Sequence, residues 1–229
     1  MGETISITSV AADKFAFPAY HAAPTGERKG GVIVIQEIFG IDEHVKRDVD
    51  RWASLGYEAV APALYERREP GFTAHHDEAG IKAGIAHAMG TPRDQVLADI
   101  AACRDYLKDP SKEDGGKVCI VGYCYGGSFA WIAAGEVGGL AAASSYYGSM
   151  VQANATLKPM CPTIVHLGRL DAGIPADAVK AAVVAANPTV PVYIYEDAGH
   201  GFNNEDPERL AAESAELARK RTLELFERA

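Results

Sequence analysis

Lys117-Val118-Cys119-Ile120-Val121, then Gly122-Tyr123-Cys124-Tyr125-Gly126-Gly127, then Ser128-Phe129-Ala130-Trp131-Ile132-Ala133-Ala134 is the stretch from which the fold can be read. The first part is a short apolar, β-branched run, which suits a parallel strand covered on both faces. The last part is a good helix former. Between them a glycine stands two positions either side of Cys124, the G-x-nucleophile-x-G spacing of a strand–turn–helix elbow, with cysteine where serine is commoner. Such a turn forces the central residue into a strained backbone conformation while strand and helix approach too closely for side chains at the flanking positions. It exposes a sulfur at a helix N-terminus, where backbone N–H groups and the helix dipole favour a thiolate. The plainer reading, a small buried apolar cysteine in a Gly-rich turn, explains neither the glycine spacing nor the flanking elements.

Outward from the elbow, strands and helices alternate. Val32-Ile33-Val34-Ile35 after Gly31 reads as a buried strand. Val45, Val49, Trp52 and Ala53 form a helical stripe closing at Gly56, and Glu58 to Ala61 is a second strand stopping at Pro62. Ala63 to Gly90 is charged and rich in His and Gly, and reads as an irregular functional excursion. Val96, Ile100, Cys103 and Leu107 mark another helix. Strands near Ala141 to Tyr147, Thr163 to Leu167 and Val190 to Tyr195, and a helix from Ala176 to Ala186, continue the alternation. A last helix is expected from Asp206-Pro207, an N-cap followed by proline at the first helical position, with Leu210, Leu217 and Leu225 inward. This order predicts a mostly parallel, doubly wound α/β sheet. With no linker, repeat or low-complexity tract, residues 1–229 read as one domain.

The 229 residues are 48% apolar and 23% charged, which excludes disorder and collagen-like repetition. A net charge of -9 argues against a nucleic-acid backbone as partner and leaves a small molecule. No apolar run approaches the ~20 residues of a membrane span, and Met1 to Val10 lacks a signal-peptide pattern, so the expectation is a cytoplasmic protein. Cys103, Cys119, Cys124 and Cys161 contain no CxxC pair and are expected as thiols.

An elbow nucleophile of this kind needs an acid and a histidine, in the chain order nucleophile, acid, histidine. Asp171 lies just beyond the strand ending near Gly168, and His200 follows the strand Val192 to Tyr195 within Gly199-His200-Gly201-Phe202. Both sit at C-terminal strand ends, the edge where open α/β sheets place ligands. Asp197 is the rival acid, but it is too close in sequence to His200 to be its usual partner. Cys103 on a helix face, Cys119 inside a strand and Cys161 before Pro162 read as structural.

With these blocks in place the chain resembles the dienelactone hydrolase family, a cysteine-using branch of the α/β-hydrolases. The resemblance runs through Gln36-Glu37-Ile38-Phe39-Gly40, Ala61-Pro62-Ala63-Leu64-Tyr65, the Gly122 to Gly127 elbow, Tyr146-Tyr147-Gly148, Gly168 to Asp171 and Gly199 to Phe202. It implies an α/β-hydrolase fold with helices on both faces of the sheet and a triad of Cys124, Asp171 and His200. It further implies that Glu37 holds the resting thiol and takes its proton, although an acid ending an apolar strand is most often a solvated carboxylate. The oxyanion hole would be the backbone N–H groups of Tyr125 and Ile38. Phe39, Tyr65, Tyr147 and Phe202 are candidate pocket walls.

The resemblance implies a small-molecule ester or lactone as substrate and needs no cofactor. Well-characterised members of the family grip a substrate carboxylate with two arginines. Here the region past the histidine reads Phe202-Asn203-Asn204, and the excursion offers only Arg67, Arg68 and Lys82. The alternative is a non-catalytic binding protein on the same fold, which an intact triad opposes. His75-His76-Asp77-Glu78 has no recognisable metal-ligand spacing, and no G-x-G-x-x-G follows a strand, which disfavours a dinucleotide enzyme.

Overall fold

The apolar runs become strands of an eight-stranded sheet of order β1-β2-β4-β3-β5-β6-β7-β8 in the computed structural model. Residues 2–24, 26–108, 111, 116–206 and 208–229 are described. The chain forms two compact units, Met1–Ile120 and Val121–Ala229. In the first, β1 (Glu3–Thr8) and β2 (Ala16–Ala22) make an antiparallel hairpin in which Glu3 faces His21 and Thr8 faces Ala16. β3 (Gly30–Ile35) is buried at every position, and it pairs in parallel with β4 (Tyr57–Pro62), which pairs antiparallel with β2. The hairpin was not expected from sequence. β1 is exposed at most of its positions, so it carries no continuous apolar run of the kind that marks a two-sided strand.

Among the described residues this unit also holds the helices α1 (Glu43–Ser54), α2 (Glu78–Gly90) and α3 (Arg93–Leu107). Asp42 caps α1 by accepting from the Val45 N–H at 2.9 Å. Val45, Val49, Trp52 and Ala53 are its buried apolar face, as the sequence stripe requires. The second half of the supposedly irregular excursion is α2, capped by Asp77 accepting from the Gly80 N–H at 2.8 Å. Its only buried residues are Gly80 and Gly84. A helix that packs through glycine brings backbone against backbone and needs no apolar stripe, which is why periodicity missed it.

In the second unit β6 (Ala142–Tyr146), β7 (Thr163–Gly168) and β8 (Val192–Tyr195) are parallel neighbours. β5 (Val118–Tyr123) leads into α4 (Tyr125–Glu136), and α5 (Ala176–Ala186) keeps its expected bounds. The last helix, α6, spans Ala212–Arg228 and starts later than expected. Pro207 lies outside the described residues. The Asp206 carbonyl accepts from the Arg209 and Leu210 N–H groups in an isolated turn, and Ala211 N–H reaches back to the Phe202 carbonyl at 3.2 Å. The inward face of α6 is Ala215, Ala218, Thr222 and Phe226, whereas Leu210 and Leu217 are exposed and Leu225 is half-buried. Thr222 belongs to a buried polar network: its hydroxyl meets Ser144 Oγ at 2.9 Å, Tyr146 Oη at 2.7 Å and His166 Nε2 at 3.2 Å, and His166 Nδ1 meets Tyr195 Oη at 2.9 Å. Burial holds His166 down at about 3, so it stays neutral and joins β6, β7, β8 and α6 through hydrogen bonds and ring contacts without carrying a charge.

Candidate active site

Cys124 sits between β5 and α4 with φ 55° and ψ -110°, a left-handed conformation that only a well-supported non-glycine residue keeps. The support comes from backbone. Its N–H donates to the Tyr146 carbonyl at 3.0 Å, and its carbonyl accepts from the Ser128 N–H at 3.0 Å. A Cβ on Gly122 would strike the Gly126 carbonyl, and one on Gly127 would strike the Tyr146 carbonyl. These are the close approaches that the glycine spacing predicts.

Asp171 and His200 lie past the C-terminal ends of the parallel strands β7 and β8. Asp171 is buried. Its Oδ1 accepts from the N–H groups of Gly173 at 2.9 Å and Ile174 at 3.1 Å, which fixes the carboxylate and turns Oδ2 to His200 Nδ1 at 2.6 Å. The His200 side chain keeps 38% of its surface open. Burial opposes the imidazolium, but hydrogen bonds to Asp171 and Cys124 and the charges of both outweigh it, and they raise His200 from 6.5 to about 10. The shift of His200 thus depends on both neighbours. Asp197, the rival acid, is engaged elsewhere, accepting from Ser214 Oγ at 2.5 Å.

The Tyr147 ring stands 5.2 Å from the His200 ring and 5.4 Å from that of Phe202. Both Tyr147 and Phe202 are fully buried, and Tyr147 has φ 37°. Asn203, next in the chain, is fully buried, and its carboxamide has no hydrogen-bond partner among the described residues. Tyr125 opens α4 and is buried, so its backbone N–H lies in the first turn of that helix.

In the first unit, Glu37 is buried two residues past the end of β3, followed by Ile38 and Phe39. Several contacts hold this loop. The Phe39 carbonyl accepts from the Ala74 N–H at 3.0 Å, and Gly40 bridges to Thr73. The Phe39 ring stacks on His76 at 4.0 Å, while His76 Nε2 meets Asp42 Oδ2 at 2.8 Å. A Cβ on Gly84 would lie 2.5 Å from the Ile38 carbonyl, so α2 rests directly on that peptide. Sequence reasoning missed Gly84, and the signal that could have found it is glycine at i and i+4 in an otherwise helical segment. Tyr65 is buried against Phe72 and His87.

The arginines considered for substrate are committed to protein. Arg67 meets Asp99 Oδ2 at 2.6 Å and Asp13 Oδ2 at 2.9 Å, and Arg68 donates to the Gly90 carbonyl at 2.8 Å. Lys82 is exposed on α2. His76 and Asp77, from the weighed metal motif, are the Asp42 partner and the α2 cap. Burial pushes the Cys103 thiol well above its ordinary value and raises that of Cys161, against a hydrogen bond to Thr163 that lowers it. Among the described residues no helix is long and apolar enough to cross a membrane.

The sequence pattern of the Dienelactone hydrolase family matches residues 17–229. A carboxymethylenebutenolidase of Pseudomonas putida is 30% identical over 229 residues, covering 98% of this chain and 95% of that protein. An Escherichia coli O157:H7 protein assigned as a carboxymethylenebutenolidase is 35% identical over 240 residues, covering 96% of this chain and 85% of the relative. A Klebsiella pneumoniae subsp. pneumoniae crystal structure assigned as a dienelactone hydrolase superposes with TM-score 0.83 at 31% identity, covering 99% of this chain and all (100%) of that one.

Proposed function

Because the chain belongs to the dienelactone hydrolase family and is a hydrolase, we propose that it opens an ester or lactone bond of a small molecule with Cys124 as the nucleophile. The observation that carries this reading is the strained Cys124 at the start of α4, coupled to a His200 that Asp171 orients. Glu37 takes the thiol proton and returns it to the Cys124 sulfur when the cycle closes, while His200 stands beside the thiolate as the imidazolium. The thiolate attacks the acyl carbon, the C–O bond breaks, and the imidazolium of His200 protonates the leaving oxygen. In the second half, neutral His200 takes a proton from water as the hydroxide attacks the thioester, and the Cys124 thiolate leaves. The backbone N–H groups of Tyr125 and Ile38 are assigned to the oxyanion. For Ile38 the support is the family resemblance together with the clamped conformation of its loop.

The relatives named carboxymethylenebutenolidase support a lactone among the substrates. With Arg67 and Arg68 tied to protein groups, the proposal specifies the bond that is cleaved and not a carboxylate beside it. Phe39, Tyr147 and Phe202 are assigned as walls around the reacting centre. The family match crosses the boundary between the two units, which supports one catalytic domain. A cytoplasmic setting belongs to the same proposal, supported by four free thiols.

Rapid mixing with 4-nitrophenyl acetate tests the nucleophile. Wild type should release a burst of nitrophenolate and then turn over, and Cys161→Ala should do the same. Cys124→Ala should show neither while keeping its fold by circular dichroism. Turnover at the wild-type rate in Cys124→Ala overturns the assignment.

A further inference from the structure

The first unit carries a half-open cavity of about 220 Å³ whose lining residues all belong to Met1–Ile120 and include none of Cys124, Asp171 and His200. Its walls are apolar and ring-rich, with Pro18, Tyr20, Ile41, Tyr65 and Phe72 among them. A designed apolar cavity of ~150 Å³ accepts benzene, so this volume accommodates a six-membered ring and a substituent of a few heavy atoms. Gln36 also borders the cavity and is completely buried. Its Oε1 accepts from the Leu64 N–H at 3.4 Å, and its Nε2 has no hydrogen-bond partner among the described residues. The charged side chains on the same cavity are already engaged. Lys46 pairs with Glu43 at 2.8 Å, and Glu66 Oε2 accepts from the Gly71 N–H at 2.8 Å.

A buried amide donor without an acceptor is costly, and a ligand oxygen that accepts its hydrogen removes that cost. Ring faces around the cavity favour a flat, apolar body. We propose that this cavity is a binding site for a small uncharged aromatic molecule bearing a carbonyl oxygen, whose ring lies among Tyr20, Tyr65 and Phe72 and whose oxygen accepts from Gln36 Nε2. Sites of this kind are mostly apolar with a few placed polar groups that fix orientation. The assignment does not depend on Cys124 chemistry.

The test is a titration followed by ¹⁵N-resolved NMR of the intact chain with two probes of nearly equal shape: acetophenone, which carries the carbonyl, and ethylbenzene, which lacks it. Acetophenone should shift the Ala63 and Thr73 amides and the Gln36 side-chain NH₂ saturably, and ethylbenzene should bind there roughly tenfold more weakly, the size of effect expected for a buried polar group left unmatched. In Gln36→Leu the two probes should bind alike. Equal binding of both probes to wild type, as when water alone serves the amide, overturns the proposal. So does the absence of saturable shifts at Ala63 and Thr73, or shifts confined to the His200 loop. The comparison within wild type decides the matter even if Gln36→Leu does not fold, and the burst of nitrophenolate from Cys124 is read independently of it.

Discussion

At the scale of single residues, the site rests on two kinds of constraint. Cys124 is held by backbone hydrogen bonds from β6 and α4, whereas His200 is held through its side chain, by the 2.6 Å bond to Asp171 and by contacts with Cys124 and the Tyr147 ring. Residues whose loss removes a shared proton path do not add, so Glu37 is the position that separates the proposed steps. If it takes the thiol proton, Glu37→Gln keeps the volume and removes the base. The acylation burst should then slow by ~10²–10⁴-fold, the usual worth of a general-base step, with little change in substrate binding. Stopped-flow burst rates for the two proteins check this, and an unchanged rate removes Glu37 from the mechanism while leaving the triad. That Cys124, Asp171 and His200 lie together was legible beforehand because each falls at a fixed place relative to a strand end. Asp171 could be chosen over Asp197 on spacing, and Asp197 turns out to serve Ser214. The Gln36 Nε2 and the Asn203 carboxamide, which have no partner among the described residues, are not legible in the chain, since burial of a polar side chain leaves no mark in the order of residues.

Among the elements, legibility followed burial on two faces. β3, β5, β7 and α5 carry continuous apolar runs or a clear stripe, and their positions were evident in the chain. The β1–β2 hairpin and α2 were not, because one shows mostly exposed positions and the other packs through Gly80 and Gly84. α6 differs from expectation for a physical reason: leucines at plausible spacing lie off its inner face, and smaller residues and one aromatic ring occupy it. Phe226 is fully buried and Leu217 is 42% exposed. Phe226→Ala should therefore cost about 3–5 kcal/mol, and Leu217→Ala should stay within about 0.5 kcal/mol of wild type. Urea unfolding of the two variants measures both, and a larger loss at Leu217 would contradict the packing of this helix.

For the molecule as a whole, the Asp171–His200 pair ties stability to pH. His200 titrates at about 10 in the folded chain against 6.5 in the unfolded one. Between these values the native state binds the extra proton, so the stability it contributes is complete below pH 6.5 and is lost as pH rises through about 10. Asp171→Asn removes a main source of the shift, so its urea midpoint should fall less steeply than that of wild type from pH 6 to pH 10. Parallel slopes would show that the pair does not govern alkaline stability. The isolation of the other sulfurs has a practical side. Cys103 and Cys119 are buried, and burial keeps the Cys161 thiol protonated to higher pH than usual, whereas Cys124 stands at a helix start beside a charged imidazole. A fluorophore delivered by maleimide chemistry at mildly acidic pH would thus attach at a single place without removal of any native cysteine, and its emission would report directly on who occupies the surroundings of Cys124.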